Sequence, residues 1–306
     1  MLFGVLAYLL WGIFPAFFPL LLPAGPLEIL AHRIVWTALL MVLVLAVTRG
    51  WRELRAAGRA QWARMALAGV VVAGNWLIYV IAVNSGHVAD AALGYFINPI
   101  VSVLLGVLFL NERLRPAQTA AVGIAAVGVV WLAVLSEQPP VMGVGLALTF
   151  GCYGLIKKKV TVSSAASLTA ETLVLTPVAA VYLAVLAVGG QATFGNAGAT
   201  NAVLLAVSGV VTALPLLLFG AAAHRLPLAT IGMLQFLTPT MQMLWALFVV
   251  DEQLSAARWA GFVIIWVAVA VFIADVARTA RRARRTRRAG AAPIDDAARA
   301  DTARPS

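Results

Sequence analysis

Residues 93 to 112 read LGYFINPIVSVLLGVLFLNE, an uncharged run closed by an Asn-Glu pair. A helix of about 20 apolar residues spans the hydrocarbon of a bilayer at about 1.5 Å per residue, so this run is one membrane segment ending at a polar boundary. Shifted by 140 positions it meets residues 233 to 252, MLQFLTPTMQMLWALFVVDE. Phe96 falls on Phe236, Pro99 on Pro239 and Glu112 on Glu252, with Ala89 on Ala229 and Leu114 on Leu254 just outside. Apolar identities prove little in a low-complexity chain, whereas an aligned proline and an aligned glutamate are informative. Ile124, Val127 and Val129 meet Ile264, Val267 and Val269 at the same shift, and Trp11-Gly12 meets Tyr153-Gly154 at a shift of 142. The chain reads as two copies of one unit.

Outward from this pair, runs long enough to cross a membrane lie near 3–22, 27–48, 65–83, 88–110, 117–135, 141–156, 168–188, 202–222, 227–250 and 256–275. They predict an all-α integral membrane protein of ten transmembrane helices, arranged as two five-helix repeats over 1–136 and 137–277. Five is odd, so the second repeat enters the bilayer from the opposite side. In transporters of this inverted plan the solute site lies between the halves near the midplane. Composition agrees: 62% of residues are apolar and 11% charged, against roughly 45–50% and about 25% in soluble domains. The first run lacks a basic leader and carries Pro15, Pro19 and Pro23, so it is read as a span rather than a cleaved signal. Cys152 is the single cysteine; it predicts no internal disulfide, and no metal or cofactor is implied.

Basic residues near span ends are retained on the cytoplasmic side. With the N-terminus inside, the cytoplasmic loops hold Arg49, Arg52, Arg55, Arg59 and Arg64, then Arg113 and Arg115, then Lys157, Lys158 and Lys159, then Arg225. The opposite loops hold Arg258 alone, with Glu137, Asp251 and Glu252. The expected location is the inner membrane with both termini cytoplasmic. The +10 formal charge, concentrated in the arginine-rich tail 278–306, is then a topology signal and a disordered cytoplasmic end, with no nucleic-acid partner expected.

Ionisable groups within a bilayer are costly unless paired or hydrated, so each needs a reason. Glu28 and His32 are spaced i, i+4 on one helix face, whereas Arg33 is turned about 100° from His32. Arg33 lies about 9 Å from the outer boundary, close enough to snorkel; it faces either a cavity or Glu28 and headgroups. Glu171 is the approximate repeat counterpart of His32 and Arg33. Asp90 begins a helix and reads as a solvated end or cap. Asn75 either lines a cavity or joins helices. Pro99 and Pro239 each leave a carbonyl, of Tyr95 and Gln235, without its usual donor, and Asn98 and Thr238 precede them; both prolines are predicted kinks. Trp11, Trp36, Trp76 and Tyr153 offer an aromatic wall, or simply core packing. The candidate solute-binding set is therefore Trp11, His32, Arg33, Asn75, Tyr95, Asn98, Tyr153, Glu171, Gln235 and Thr238.

Several stretches together resemble the EamA branch of the drug/metabolite transporter superfamily, and within it the RarD proteins. They are Glu28 to Arg33 with Trp36, Gly74-Asn75-Trp76, Ala82-Val83-Asn84, Leu93 to Pro99 and Asn111-Glu112-Arg113. In the second half they are Tyr153-Gly154-Leu155 with Lys157 to Lys159, Glu171-Thr172 with Pro177, and Gln235-Phe236 with Pro239. The resemblance implies a ten-helix permease with cytoplasmic termini; members are associated with chloramphenicol sensitivity, and relatives export amino acids or other metabolites. The expected partners are a small-molecule solute and the lipid bilayer, with a homodimer left open.

Two other classes compete with a carrier. An intramembrane enzyme such as a lipid-modifying transferase or protease needs paired acids, an HExxH-like helix or a serine/histidine pair, but His32, His87 and His224 fall in separate segments. A non-transporting helix-bundle accessory protein is disfavoured by the repeat.

Overall fold

The computed structural model describes residues 1–84, 88–135, 141–249, 251 and 255–289, excepting the side chains of 83, 84, 88–91, 280 and 282–289. The side chain of Asp90, and His87, Glu137 and Glu252, therefore lie outside the described residues. The first span is assembled from α1 (Leu2–Gly12), α2 (Phe14–Phe17) and a 3-10 turn over Phe18–Leu21. The chain continues through α3 (Pro26–Thr48), α4 (Trp51–Ala56), α5 (Arg59–Asn84), α6 (Val88–Leu110) and α7 (Pro116–Val134). It then forms α8 (Val141–Lys159), α9 (Ser164–Val188), α10 (Ala199–Ala223), α11 (Leu228–Leu234), α12 (Leu237–Phe248) and α13 (Ala256–Ala289). Among the described residues nine helical segments are long and apolar enough to cross a membrane.

The run expected as one helix over 227–250 is broken at Gln235-Phe236, between α11 and α12. Pro239 has no amide to give the Gln235 carbonyl; the Thr238 amide donates to it instead at 3.0 Å, a tighter turn that ends one helix and starts the next. At the proline aligned with it in sequence, α6 runs unbroken through Pro99. Other boundaries shift outward. The lysine triplet is the last turn of α8, and α5 begins at Arg59 instead of near 65. The helix of α13 runs past the expected end at 275 to Ala289, into the tail read as disordered, because alanine and arginine are strong helix formers.

The main helix contacts join early helices to late ones. α6 packs on α8 and α12 on α1; α5 packs on α8 and α10 on α1; α3 packs on α10 and α9 on α5. α3 with α9, α6 with α11, and α7 with α13 complete the set. Small residues permit the closest crossings, as is usual where backbones meet in membranes. A Cβ on Gly232 would lie 2.8 Å from the Pro99 carbonyl oxygen and 2.9 Å from Ser102 Cβ, so α11 rests directly on the proline turn of α6. Similarly, a Cβ on Gly94 would lie 2.8 Å from the Gly143 carbonyl oxygen.

The Asn111-Glu112 boundary after α6 has a structural role. Asn111 adopts φ 52°, and Asp251, its match, φ 59°; Asn and Asp tolerate this left-handed conformation better than most residues. The turn aims Glu112 at the start of α11, where its oxygens accept the amides of Leu228 at 2.6 Å and Ala229 at 2.9 Å. Pro227 precedes that helix and offers no side-chain cap, so a carboxylate from the other half satisfies the exposed donors.

Candidate solute cavity

A cavity of about 280 Å³ opens among α1, α2, the 3-10 turn, α3, α5, α6, α8, α10, the break after α11, and α12. Its volume is at the lower end of small-molecule sites, roughly 300–1,000 Å³. Of the candidate solute-binding set, Trp11, Arg33, Asn75, Tyr95, Asn98, Gln235 and Thr238 line it. The two proline-bearing segments thus contribute to one space, Tyr95 and Asn98 from α6, Gln235 and Thr238 from the break between α11 and α12 and its far side.

Arg33 does not snorkel. Its Nε donates to Thr212 Oγ1 at 2.9 Å, and its Cζ sits 4.9 Å from the Trp76 ring centroid, 5.3 Å from Phe18 and 5.8 Å from Phe14. Aromatic faces can hold a guanidinium where water is scarce. Asn75 does both things expected of it as alternatives. Its Nδ2 donates to the Leu146 carbonyl and to Thr149 Oγ1, each at 2.8 Å, while the residue also borders the cavity. Thr238 donates its hydroxyl to the Tyr8 carbonyl at 2.9 Å, and Ser102 donates to Asn98 Oδ1 at 3.2 Å. Two lining groups are left over: the Tyr8 hydroxyl and Gln235 Oε1 are buried without a hydrogen-bond partner among the described residues.

Three expected residues lie elsewhere. His32 stacks on Phe194 with centroids 4.8 Å apart, and its Nε2 is 4.0 Å from Glu28 Oε1, which in turn accepts the Thr193 amide at 2.7 Å. That face of α3 holds the loop between α9 and α10, because the i, i+4 spacing turns it away from Arg33. Tyr153 is fully buried, stacked on Phe219 at 5.6 Å, and donates to Glu171 Oε2 at 3.1 Å. Glu171 pairs with Lys157 at 2.6 Å, and both side chains are 1% exposed. Lys157, expected in a cytoplasmic loop, instead points into the bundle, where Ser167 accepts a second of its protons at 2.6 Å. Of the proposed aromatic wall, Trp11 and Trp76 line the cavity and Trp36 packs near Phe194.

The cavity has a floor. Tyr8, Trp11 and Phe150, all lining, pack against Phe219, which lies on Tyr153, and Tyr153 leads to the Glu171–Lys157 pair. Sequence reasoning missed Tyr8, Tyr79, Phe150 and Gln242 as lining residues. Tyr8 and Phe150 each lie one turn before a residue that was singled out, Trp11 and Tyr153 respectively, so helical spacing alone could have found them.

Comparison with known proteins agrees with this architecture. Residues 1–134 match the EamA-like transporter family. The chain is 45% identical over 281 residues to Protein RarD of Streptomyces exfoliatus, covering 91% of this chain and 89% of the relative. It is 39% identical to Protein RarD of Escherichia coli strain K12 over 91% of this chain and 95% of that one. The Chloramphenicol-sensitive protein RarD of Pseudomonas aeruginosa is 29% identical, with 90% and 94% covered. A solved crystal structure superposes with a TM-score of 0.70 over 89% of this chain and 96% of its own, at 17% identity, and shares the fold.

Proposed function

Because the chain belongs to the EamA-like transporter family, among the RarD proteins, we propose that it carries a small organic solute across the inner membrane as a secondary transporter, by alternating access between two inverted halves. The observation that carries this reading is a cavity lined from both halves and closed on one side by the aromatic floor and the Lys157–Glu171 pair. Exchange of the five-span units (α1 with α8, α3 with α9, α5 with α10, α6 with α11 and α12, α7 with α13) turns each major helix contact into another observed one. The matched left-handed residues Asn111 and Asp251 support the same symmetry. Such an arrangement gives two equivalent ways to rock the halves, one opening each side. With the N-terminus cytoplasmic, as the basic residues favour, this conformation faces outward, since the cavity is bordered by the later residues of α1 and α5 and the earlier residues of α3 and α6.

The test is reconstitution of purified protein in liposomes with a panel of labelled metabolites. Saturable counterflow of at least one solute, lost in a Gln235→Leu variant that inserts normally, is expected. Leakage that does not saturate, or no flux of any solute through folded protein, would count against a carrier.

A further inference from the structure

Among the described residues lining the cavity there is one formal charge, the Arg33 guanidinium, and no carboxylate. No acidic side chain of the described residues forms an ion pair with it. Glu28, five residues earlier, is engaged by the Thr193 and Phe194 amides and by His32. A cation kept inside a membrane protein without an internal acid is costly unless water or a ligand serves it. Here its position is nonetheless fixed: Thr212 takes the Nε proton, and three aromatic rings surround the carbon centre. That leaves the two Nη groups, the part of the fork that grips a planar oxyanion through paired hydrogen bonds. Separately, the Tyr8 hydroxyl and Gln235 Oε1 are buried in the cavity wall without partners among the described residues, and buried polar groups are normally satisfied. An amide oxygen accepts only, so its missing partner carries an N–H or O–H.

We infer that the transported solute is a small organic carboxylate: the acid group pairs with Arg33, an apolar body lies among the lining aromatics such as Trp11, Trp76 and Phe150, and a hydrogen-bond donor on the solute meets Gln235. The inference rests on the transport reading of this cavity and adds the sign of the charge. Among the described residues the cavity has no anionic side chain to receive an ammonium group, and an uncharged analogue offers the Arg33 fork no counter-charge.

Isothermal titration calorimetry on the full chain in lipid nanodiscs decides the matter with three probes of one shape: 3-(4-hydroxyphenyl)propionate, its primary amide, and tyramine. The carboxylate is expected to bind about ten- to hundredfold more tightly than the other two, the size of a charge-assisted hydrogen bond. In Arg33→Gln the carboxylate and its amide are expected to bind within about twofold of each other, while a monodisperse elution profile and a cooperative thermal transition show that the variant is folded. Equal affinities in the wild-type protein, a preference for tyramine, or a carboxylate preference that survives Arg33→Gln overturns the anion assignment and leaves the cavity as a site for a solute of other charge. Absence of binding by all three probes overturns this inference, while counterflow of some other solute in liposomes still upholds the carrier reading.

Discussion

Arg33 and Lys157 are both carried into the bundle by apolar helices, and the protein treats them in opposite ways. Arg33 meets α10 at Thr212, while Lys157 packs on it at Gly220, about 12 Å further along at 1.5 Å per residue. At the Lys157 level the cation has its counter-charge: Glu171 accepts from Lys157, Tyr153 and Ser167, and all four residues are buried. At the Arg33 level the cation has rings, one hydroxyl and an open cavity. A carrier needs both kinds of environment, one that seals and one that receives. By the exchange of repeats proposed above, the seal on one side becomes the mouth when the halves rock. The difference teaches that an intramembrane charge marks a site only when its partner is missing; a complete pair marks closure.

The largest expected effect breaks the sealed level. Lys157→Met strands the Glu171 carboxylate, and removing one partner of a buried pair typically costs about 3–5 kcal/mol. Thermal unfolding in detergent should show it, and Lys157→Met combined with Glu171→Leu should recover most of the loss, since a packed apolar pair can replace a buried ion pair. A double variant no more stable than the single one would mean that the pair is not what holds this layer. Arg33 should behave in the reverse sense. Arg33→Ala is expected to lower transport per inserted molecule by about ten- to hundredfold, while the unfolding temperature moves less than in Lys157→Met. Normal transport by Arg33→Gln and Arg33→Lys would return Arg33 to a structural role.

How much of this contrast was legible in the sequence depends on which neighbour mattered. The spans and the prolines were readable, because hydropathy needs no third dimension, and the 140-residue self-match is likewise a property of the sequence alone. The part of the cavity beside the two prolines was readable too, since polar groups next to an intrahelical proline have few other uses at depth. Lys157 was misread because three consecutive lysines look like a loop, and nothing local says that the first of them turns inward to Glu171 across another helix. Glu171 and Tyr153 were recognised as unusual, but their long-range mutual bond, which removes them from the cavity, is not written in spacing. His32 was drawn into the site by its neighbour Arg33, although one residue along a helix points to another face. The break in α11–α12 against the continuous α6 is likewise invisible from Pro99 and Pro239 alone.

Smaller effects sharpen the picture of how the halves meet. Gly232→Leu forces a side chain against the Pro99 carbonyl and Ser102, and overpacking of this kind costs about 1–3 kcal/mol. Its mark should be slower transport with the thermal midpoint lowered, whereas unchanged transport would show that α6 and α11 need not keep this contact as the protein works. Asn75→Ala removes two hydrogen bonds that tie α5 to α8 and should cost about 1 kcal/mol in the same unfolding assay. Reporter fusions after Lys159 and at the C-terminus should both read cytoplasmic; a periplasmic signal from either would reverse the orientation assigned to the cavity mouth.

The central claim is that Tyr95, Asn98, Gln235 and Thr238, drawn from both halves, border one solute path. Single cysteines at these positions in a Cys152→Ala background, challenged with a membrane-impermeant thiol reagent in sealed vesicles, test it directly. All four should react from at least one side, with transported solute slowing the reaction at each. Uniform inaccessibility of the four in protein that still transports would contradict the account and leave the two proline segments as packing elements alone.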